Sequence, residues 1–144
     1  MKRSVLTALC LLALVETGRP ADLTDAETEA RKQALDVAGA FSNDGFKIRD
    51  GHWMGTIDKG KTALLQVNLY SGNRYWFSVG ATDGARKLAV TVFDETGAPV
   101  AGDPYENGAR AAIGIETKVS GSYYVRVQEV DGTPSTFCLL YSYQ

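Results

Sequence analysis

The sequence is poor in the residues that build metal and catalytic centres. It holds one histidine, His52, and two cysteines, Cys10 and Cys138. Structural and catalytic zinc sites draw three or four ligands, mostly Cys and His, so neither is within reach of this chain. The spacings C-x-x-C, H-E-x-x-H and G-x-x-x-x-G-K-[ST] are missing, as are the dinucleotide fingerprint and the G-x-S-x-G elbow of serine hydrolases. A D-x-[DN]-x-[DN]-G calcium loop is also missing. Four prolines among 144 residues exclude a proline-rich linker, and a formal charge of -2 gives no basic surface. Nucleic acid is therefore not an expected partner. Hydrophobic residues make up 44% of the chain and aromatics 10%, which is too much for a disordered chain.

The N-terminus has the make-up of a secretory signal. Lys2 and Arg3 precede an uncharged run from Ser4 to Val15, carried by Val5, Leu6, Leu9, Leu11, Leu12, Leu14 and Val15. That run is shorter than the roughly 20 residues of a membrane span, and it matches the apolar region of a signal peptide. Residues 1–21 are expected to be removed, with the cut between Val15 and Ala21. No later stretch is long and apolar enough to anchor the chain. Loss of Lys2, Arg3, Arg19 and Glu16 takes the net charge from -2 to about -4. Cys10 leaves with the signal, so Cys138 has no partner for an intramolecular disulfide. It lies in the apolar run Phe137-Cys138-Leu139-Leu140-Tyr141 and reads as a buried thiol.

Residues 22–42 read as one helix. Thr24 and Glu27 have the spacing of a capping box. Ala26, Ala30, Ala34, Val37, Ala38 and Phe41 recur at helical intervals. An alanine stripe buries little area, so the helix is expected to lie against a sheet. Ser42-Asn43-Asp44-Gly45 ends it, and residues 43–52 read as a linker.

From residue 53 the hydrophobic period falls to two. Strands are expected at 52–57, 63–70, 75–81, 88–93, 113–115, 123–128 and 136–143. Turn signals such as Asp58-Lys59-Gly60, Ser71-Gly72-Asn73, Asp94-Glu95-Thr96-Gly97 and Ser120-Gly121 separate them. Short strands with no helices between them give an all-β fold, an antiparallel β-sandwich or barrel of about seven strands with one N-terminal helix.

Residues 53–144 resemble the bacterial pre-peptidase C-terminal domain, a small secreted β-sandwich of jelly-roll type. The resemblance rests on the ladder Leu64–Tyr70, the Gly72 turn into Tyr75-Trp76-Phe77-Ser78-Val79, and the strand Leu88–Phe93. It continues through Asp94-Glu95-Thr96-Gly97, Pro99-Val100 and Gly121-Ser122-Tyr123-Tyr124-Val125-Arg126-Val127. The resemblance implies a non-catalytic accessory domain of secreted hydrolases, binding polysaccharide or protein or serving in secretion and maturation. The helix and the segment 43–53 lie outside it.

The aromatic residues are the leading functional candidates. With Tyr75, Phe77 and Val79 facing the core, strand alternation turns Trp76 outward. The same argument turns Tyr124 and Arg126 outward, and Trp53 opens the first strand of the sandwich. Flat rings on a sheet face can stack on sugars or grip a protein; the alanine helix lying on that face would instead cover them. The expected ligand-binding set is Trp53, Trp76, Tyr124 and Arg126, with no catalytic residue, no metal and no cofactor. The expected protein is an exported binding module for polysaccharide or an extracytoplasmic protein. The alternatives are a structural or assembly component of the envelope, and a small hydrolase. A hydrolase would have to use His52 with Asp50, or a pair from Asp44, Asp50, Asp58, Asp94, Asp103 and Glu106. Turn Asp residues commonly bond their own backbone instead.

Overall fold

The structure is a computed structural model, described over residues 21–144. The expected signal peptide lies outside the described residues, apart from Ala21.

Helix α1 spans Asp25–Ser42. Thr24 caps it: its Oγ1 accepts from Glu27 N at 3.2 Å, and Glu27 Oε2 accepts from Thr24 N at 2.9 Å. This reciprocal box satisfies donors that the first turn leaves without intrahelical partners. It also fixes the helix start three residues later than the sequence reading placed it.

Nine strands follow: β1 (Lys47–Ile48), β2 (Trp53–Ile57), β3 (Thr62–Leu69), β4 (Arg74–Ala81), β5 (Ala85–Phe93), β6 (Asp103–Asn107), β7 (Arg110–Glu116), β8 (Gly121–Gly132) and β9 (Ser135–Tyr143). Seven match expected strands. The two additions are β1, inside the segment read as a linker, and β6, whose residues are all exposed. Neither shows the in-out alternation by which a strand is recognised.

The strands form two antiparallel sheets. One has the order β1-β9-β4-β7-β6, with β2 also paired to β9; the other is β3-β8-β5. Partners nest around the middle of the chain: β2 with β9, β3 with β8, β4 with β7. This is a long hairpin rolled into two layers, the jelly-roll arrangement. The nesting is incomplete at its centre, where β6 pairs with β7 and leaves β5 as an edge.

Alternate residues of both sheets meet between the layers. Tyr75, Phe77 and Val79 of β4, Leu88, Val90 and Val92 of β5, Val125 and Val127 of β8, and Leu139 and Tyr141 of β9 form one core. The alternation of β8 also carries a carboxyl group inward. Glu129 is fully buried, and its Oε2 accepts from Ser135 Oγ at 2.6 Å.

Helix α1 lies on the outer face of the larger sheet, against β4, β9 and β7. Ala30, Ala34 and Ala38 pack with Cys138 and Leu140 in a second apolar cluster. The sheet offers small residues here, and Gly80 is pressed so close that a Cβ on it would lie 2.3 Å from Ala34 N. An alanine stripe is therefore what this contact requires: larger side chains would hold the helix away. Arg110 ties the helix at its flank, donating to Gln33 Oε1 at 2.5 Å and pairing with Asp36 at 3.3 Å.

Candidate functional site on the open sheet

The four aromatic and basic residues singled out in the sequence do not share one site. Strand alternation states which way a side chain points from its own sheet, and the two sheets have opposite outer faces.

Trp76 does point outward from β4, but into the helix. Phe41 stacks on the indole at 3.9 Å, with the planes 6° apart. The indole also presses against Gly114 of β7, where a Cβ would come within 2.7 Å of the ring. The ring is thus half-buried, with one face taken by Phe41. Trp76 is a helix-docking residue and not an open stacking platform. Trp53 turns toward the core and stacks on Tyr141 at 6.0 Å. The expectation of one aromatic surface made from Trp53, Trp76 and Tyr124 is corrected accordingly.

Tyr124 and Arg126 stand together on the outer face of β3-β8-β5, which carries no helix. The register is explicit. Tyr124 sits between Gln66 of β3 and Phe93 of β5, and Arg126 sits between Leu64 and Thr91. Cross-strand neighbours of this kind lie about 5 Å apart at Cβ, so these six side chains form one continuous patch. The Arg126 guanidinium lies 5.0 Å from the centre of the Phe93 ring, a cation–π distance. Its Nη2 donates to Thr91 Oγ1 at 3.4 Å, while its Nε is buried without an acceptor among the described residues. Leu64 is 62% exposed beside it. Gln128 flanks the patch on one side, next to Thr62 and Ala89. On the other side Gln66 Nε2 donates to Ser122 Oγ, which donates to Asn68 Oδ1, both at 3.2 Å. Along these rows the face is uncharged apart from Arg126 and is lined by rings, amides and hydroxyls with Leu64.

Phe93, Leu64 and Gln66 were not singled out from the sequence. Their signal was available only once β3 and β5 were known to flank β8, because register decides which side chains meet.

Of the candidates for hydrolytic chemistry, the structure brings only Asp44 and Asp103 to one groove. His52 and Asp50 are exposed in the segment between β1 and β2. Asp94 serves its own turn: its Oδ1 accepts from Thr96 Oγ1 at 2.6 Å, Thr96 N at 2.9 Å and Ala98 N at 3.0 Å. These bonds, the Thr96 side chain first, hold the Asp94 carboxyl below its ordinary value. Asp44, Asp103 and Glu116 line a broad groove of about 790 Å³ beside Trp76, with Arg74 among them. Asp58 and Glu106 lie in other parts of the chain, Asp58 beyond the end of β2 and Glu106 on β6. Among the described residues no helix is long and apolar enough to cross a membrane.

Fold and site together define a class: a jelly-roll β-sandwich with one sheet covered by a helix and the other left open. No protein-family model matches the chain, and no curated protein matches its sequence.

Proposed function

We propose that this protein is an exported, non-enzymatic binding module that lays an extracytoplasmic polysaccharide along the open face of its three-stranded sheet. One observation carries the reading. The helix covers only one sheet, and the opposite face presents Tyr124, Phe93, Arg126 and Leu64 side by side, with Gln66, Gln128, Ser122 and Thr91 around them. Aromatic rings supply apolar area for the C–H faces of sugar rings, and amides and hydroxyls both donate to and accept from sugar hydroxyls. A protein-binding face would instead concentrate apolar area at a dry centre, whereas polar side chains run through the middle of this one. The resemblance to the pre-peptidase C-terminal domain and the signal-like N-terminus support the same reading.

The test is affinity electrophoresis of the purified chain through gels carrying a panel of neutral and acidic polysaccharides. Retardation by at least one polysaccharide is expected, reduced at least tenfold in affinity by Tyr124→Ala and by Arg126→Ala, both of which leave the core untouched. Retardation unchanged in both variants, or none across the panel, overturns the reading. Export is tested separately. N-terminal sequencing of the protein recovered outside the cytoplasm should start between residues 16 and 22, and an intact Met1 in that fraction overturns the signal.

A further inference from the structure

A second concavity lies at one end of the sandwich, where the chain enters and leaves the layers near residues 49, 70 and 143. It is lined by Arg49, Asn68, Tyr70, Asn73, Tyr75, Tyr141 and Tyr143 and encloses about 290 Å³. That volume is at the small end of ligand pockets, which run from roughly 300 to 1,000 Å³, and suits one ring rather than a chain. We propose that this pocket binds a sugar ring bearing a carboxylate, a uronic acid residue of an acidic polysaccharide.

The wall chemistry points to an anion. No Asp or Glu lines the pocket, and Arg49 is its one charge. Arg49 is tethered at the pocket wall, its guanidinium lying at the hydroxyl end of Tyr141 and donating to Tyr141 Oη. A guanidinium fixed in this way still has unused N–H groups in the planar fork that carboxylates accept best.

The two buried tyrosines add donors. Tyr75 is 3% exposed and Tyr141 4%. Tyr75 Oη accepts from Tyr70 N at 3.0 Å and from Asn73 Nδ2 at 3.1 Å. Tyr141 Oη accepts from Arg49. Among the described residues neither hydroxyl gives its own hydrogen to an acceptor, although a phenol has one to give. Buried polar hydrogens normally find a partner, and a carboxylate or hydroxyl oxygen in the pocket would supply it.

The mouth adds the apolar part. Tyr70 is 67% exposed and Tyr143 39%, an unusual outlay of ring surface toward solvent at one opening. These rings can take the C–H face of a pyranose while the donors behind them take the carboxylate. Asn68 links the pocket to the open sheet: it lines the pocket and also accepts from Ser122 Oγ on that face. A chain on the sheet therefore has a continuous path to the pocket, which favours a saccharide over a peptide carboxylate. The inference names the sugar class for the function proposed above and rests on that reading.

The experiment is an ¹H–¹⁵N titration of the full chain with D-galacturonate, its methyl ester, D-galactose and a short peptide with a free C-terminus. Galacturonate is expected to shift the Asn68 and Asn73 side-chain amides, with affinity falling at least tenfold on esterification and at least tenfold in Arg49→Gln. Tyr143→Ala should weaken binding while leaving the rest of the spectrum, and so the fold, intact. Arg49→Lys should restore only part of the loss, because an ammonium lacks the planar fork. Equal binding of the ester, an Arg49→Gln variant that binds normally, or tighter binding of the peptide overturns the proposal. A neutral polysaccharide held through Tyr124 with no response to galacturonate overturns the pocket and leaves the open-face reading standing. Galacturonate binding with no polysaccharide retained on the sheet supports the pocket and removes the open-face reading.

Discussion

The ring of Phe41 lies 3.9 Å from the indole of Trp76, within 6° of parallel. This contact joins the last turn of the helix to the middle of the larger sheet, on the face that the helix covers. Its energy should be separable from simple burial. Aromatic pairs are worth about 0.5–1.5 kcal/mol beyond their area. A double-mutant cycle of Phe41→Leu and Trp76→Leu, read by urea unfolding, should give a coupling of that size. Trp76→Ala alone should cost about 3 kcal/mol. Additive single mutants would show that the stack contributes nothing specific. No change in polysaccharide affinity is expected from Trp76→Leu.

Two glycines on either side of the helix contact should respond in opposite directions. At Gly80 a Cβ would meet Ala34 N at 2.3 Å and Gln33 Cβ at 2.5 Å, both parts of the helix that cannot swing away. Gly80→Ala should therefore push α1 off the sheet and cost about 1–3 kcal/mol, as overpacking does. Gly39 is within α1, with nothing within 4 Å of the same position. Gly39→Ala should stabilise by about 0.5–1 kcal/mol through helix propensity and a less flexible unfolded chain. Thermal midpoints of the two variants moving the same way would contradict the close approach.

The local parts of this architecture were legible in the sequence, and the long-range parts were not. The Thr24–Glu27 cap and the alternation in β3, β4, β5 and β8 are short-range signals, and each stands where the pattern put it. Glu129 lay beyond the expected strand 123–128, and in the structure it continues the inward series of Tyr123, Val125 and Val127. Alternation cannot say which sheet a strand joins. Trp76 and Tyr124 both read as outward, yet they lie on opposite faces of the molecule because β4 and β8 belong to different layers. Strand β6 was missed because Asp103-Pro104-Tyr105-Glu106-Asn107 is exposed throughout and has no apolar face to mark it. The tyrosine pocket was out of reach for a similar reason. Arg49, Tyr70 and Tyr141 come together only because β9 pairs with both β1 and β4.

Cys138 makes the helix contact measurable. The thiol is enclosed between β9 and the alanine stripe, and burial pushes its pKa up to about 11, with Arg31 opposing the shift slightly. A thiol reacts as its thiolate. In a Cys10→Ser chain, native Cys138 should be inert to Ellman's reagent at pH 8 and react at once in urea. The stabilising effect is present below the unfolded thiol value near 9 and is lost as pH rises from there toward 11. Gly80→Ala should accelerate the native reaction by lifting the helix. Rapid labelling of the wild type would place the thiol at the surface instead.

Asp94 and Asp131 both contribute to stability on the acid side. Hydrogen bonds from Thr96, Ala98 and Gly97 hold the Asp94 carboxyl below its ordinary 3.8. The Lys59 ammonium, 3.0 Å away, does the same for Asp131. A carboxyl with a depressed folded pKa stabilises the native state above its unfolded value, and the contribution disappears as pH falls through the folded one. Both contributions should therefore be complete at pH 5 and above and fade below about pH 4. The two differ in salt response. The Lys59–Asp131 pair is exposed, so it should weaken as ionic strength rises. The Asp94 bonds, made within its own turn, should persist. Thermal midpoints of Asp94→Ala and Asp131→Ala against wild type, taken at pH 7 and pH 2 in low and high salt, test both statements. The Asp94→Ala deficit should be present at pH 7 in either salt and shrink at pH 2. The Asp131→Ala deficit should need both neutral pH and low salt. An Asp94→Ala deficit of the same size at pH 2 would mean that the turn is held by its backbone and that the carboxylate is incidental to it.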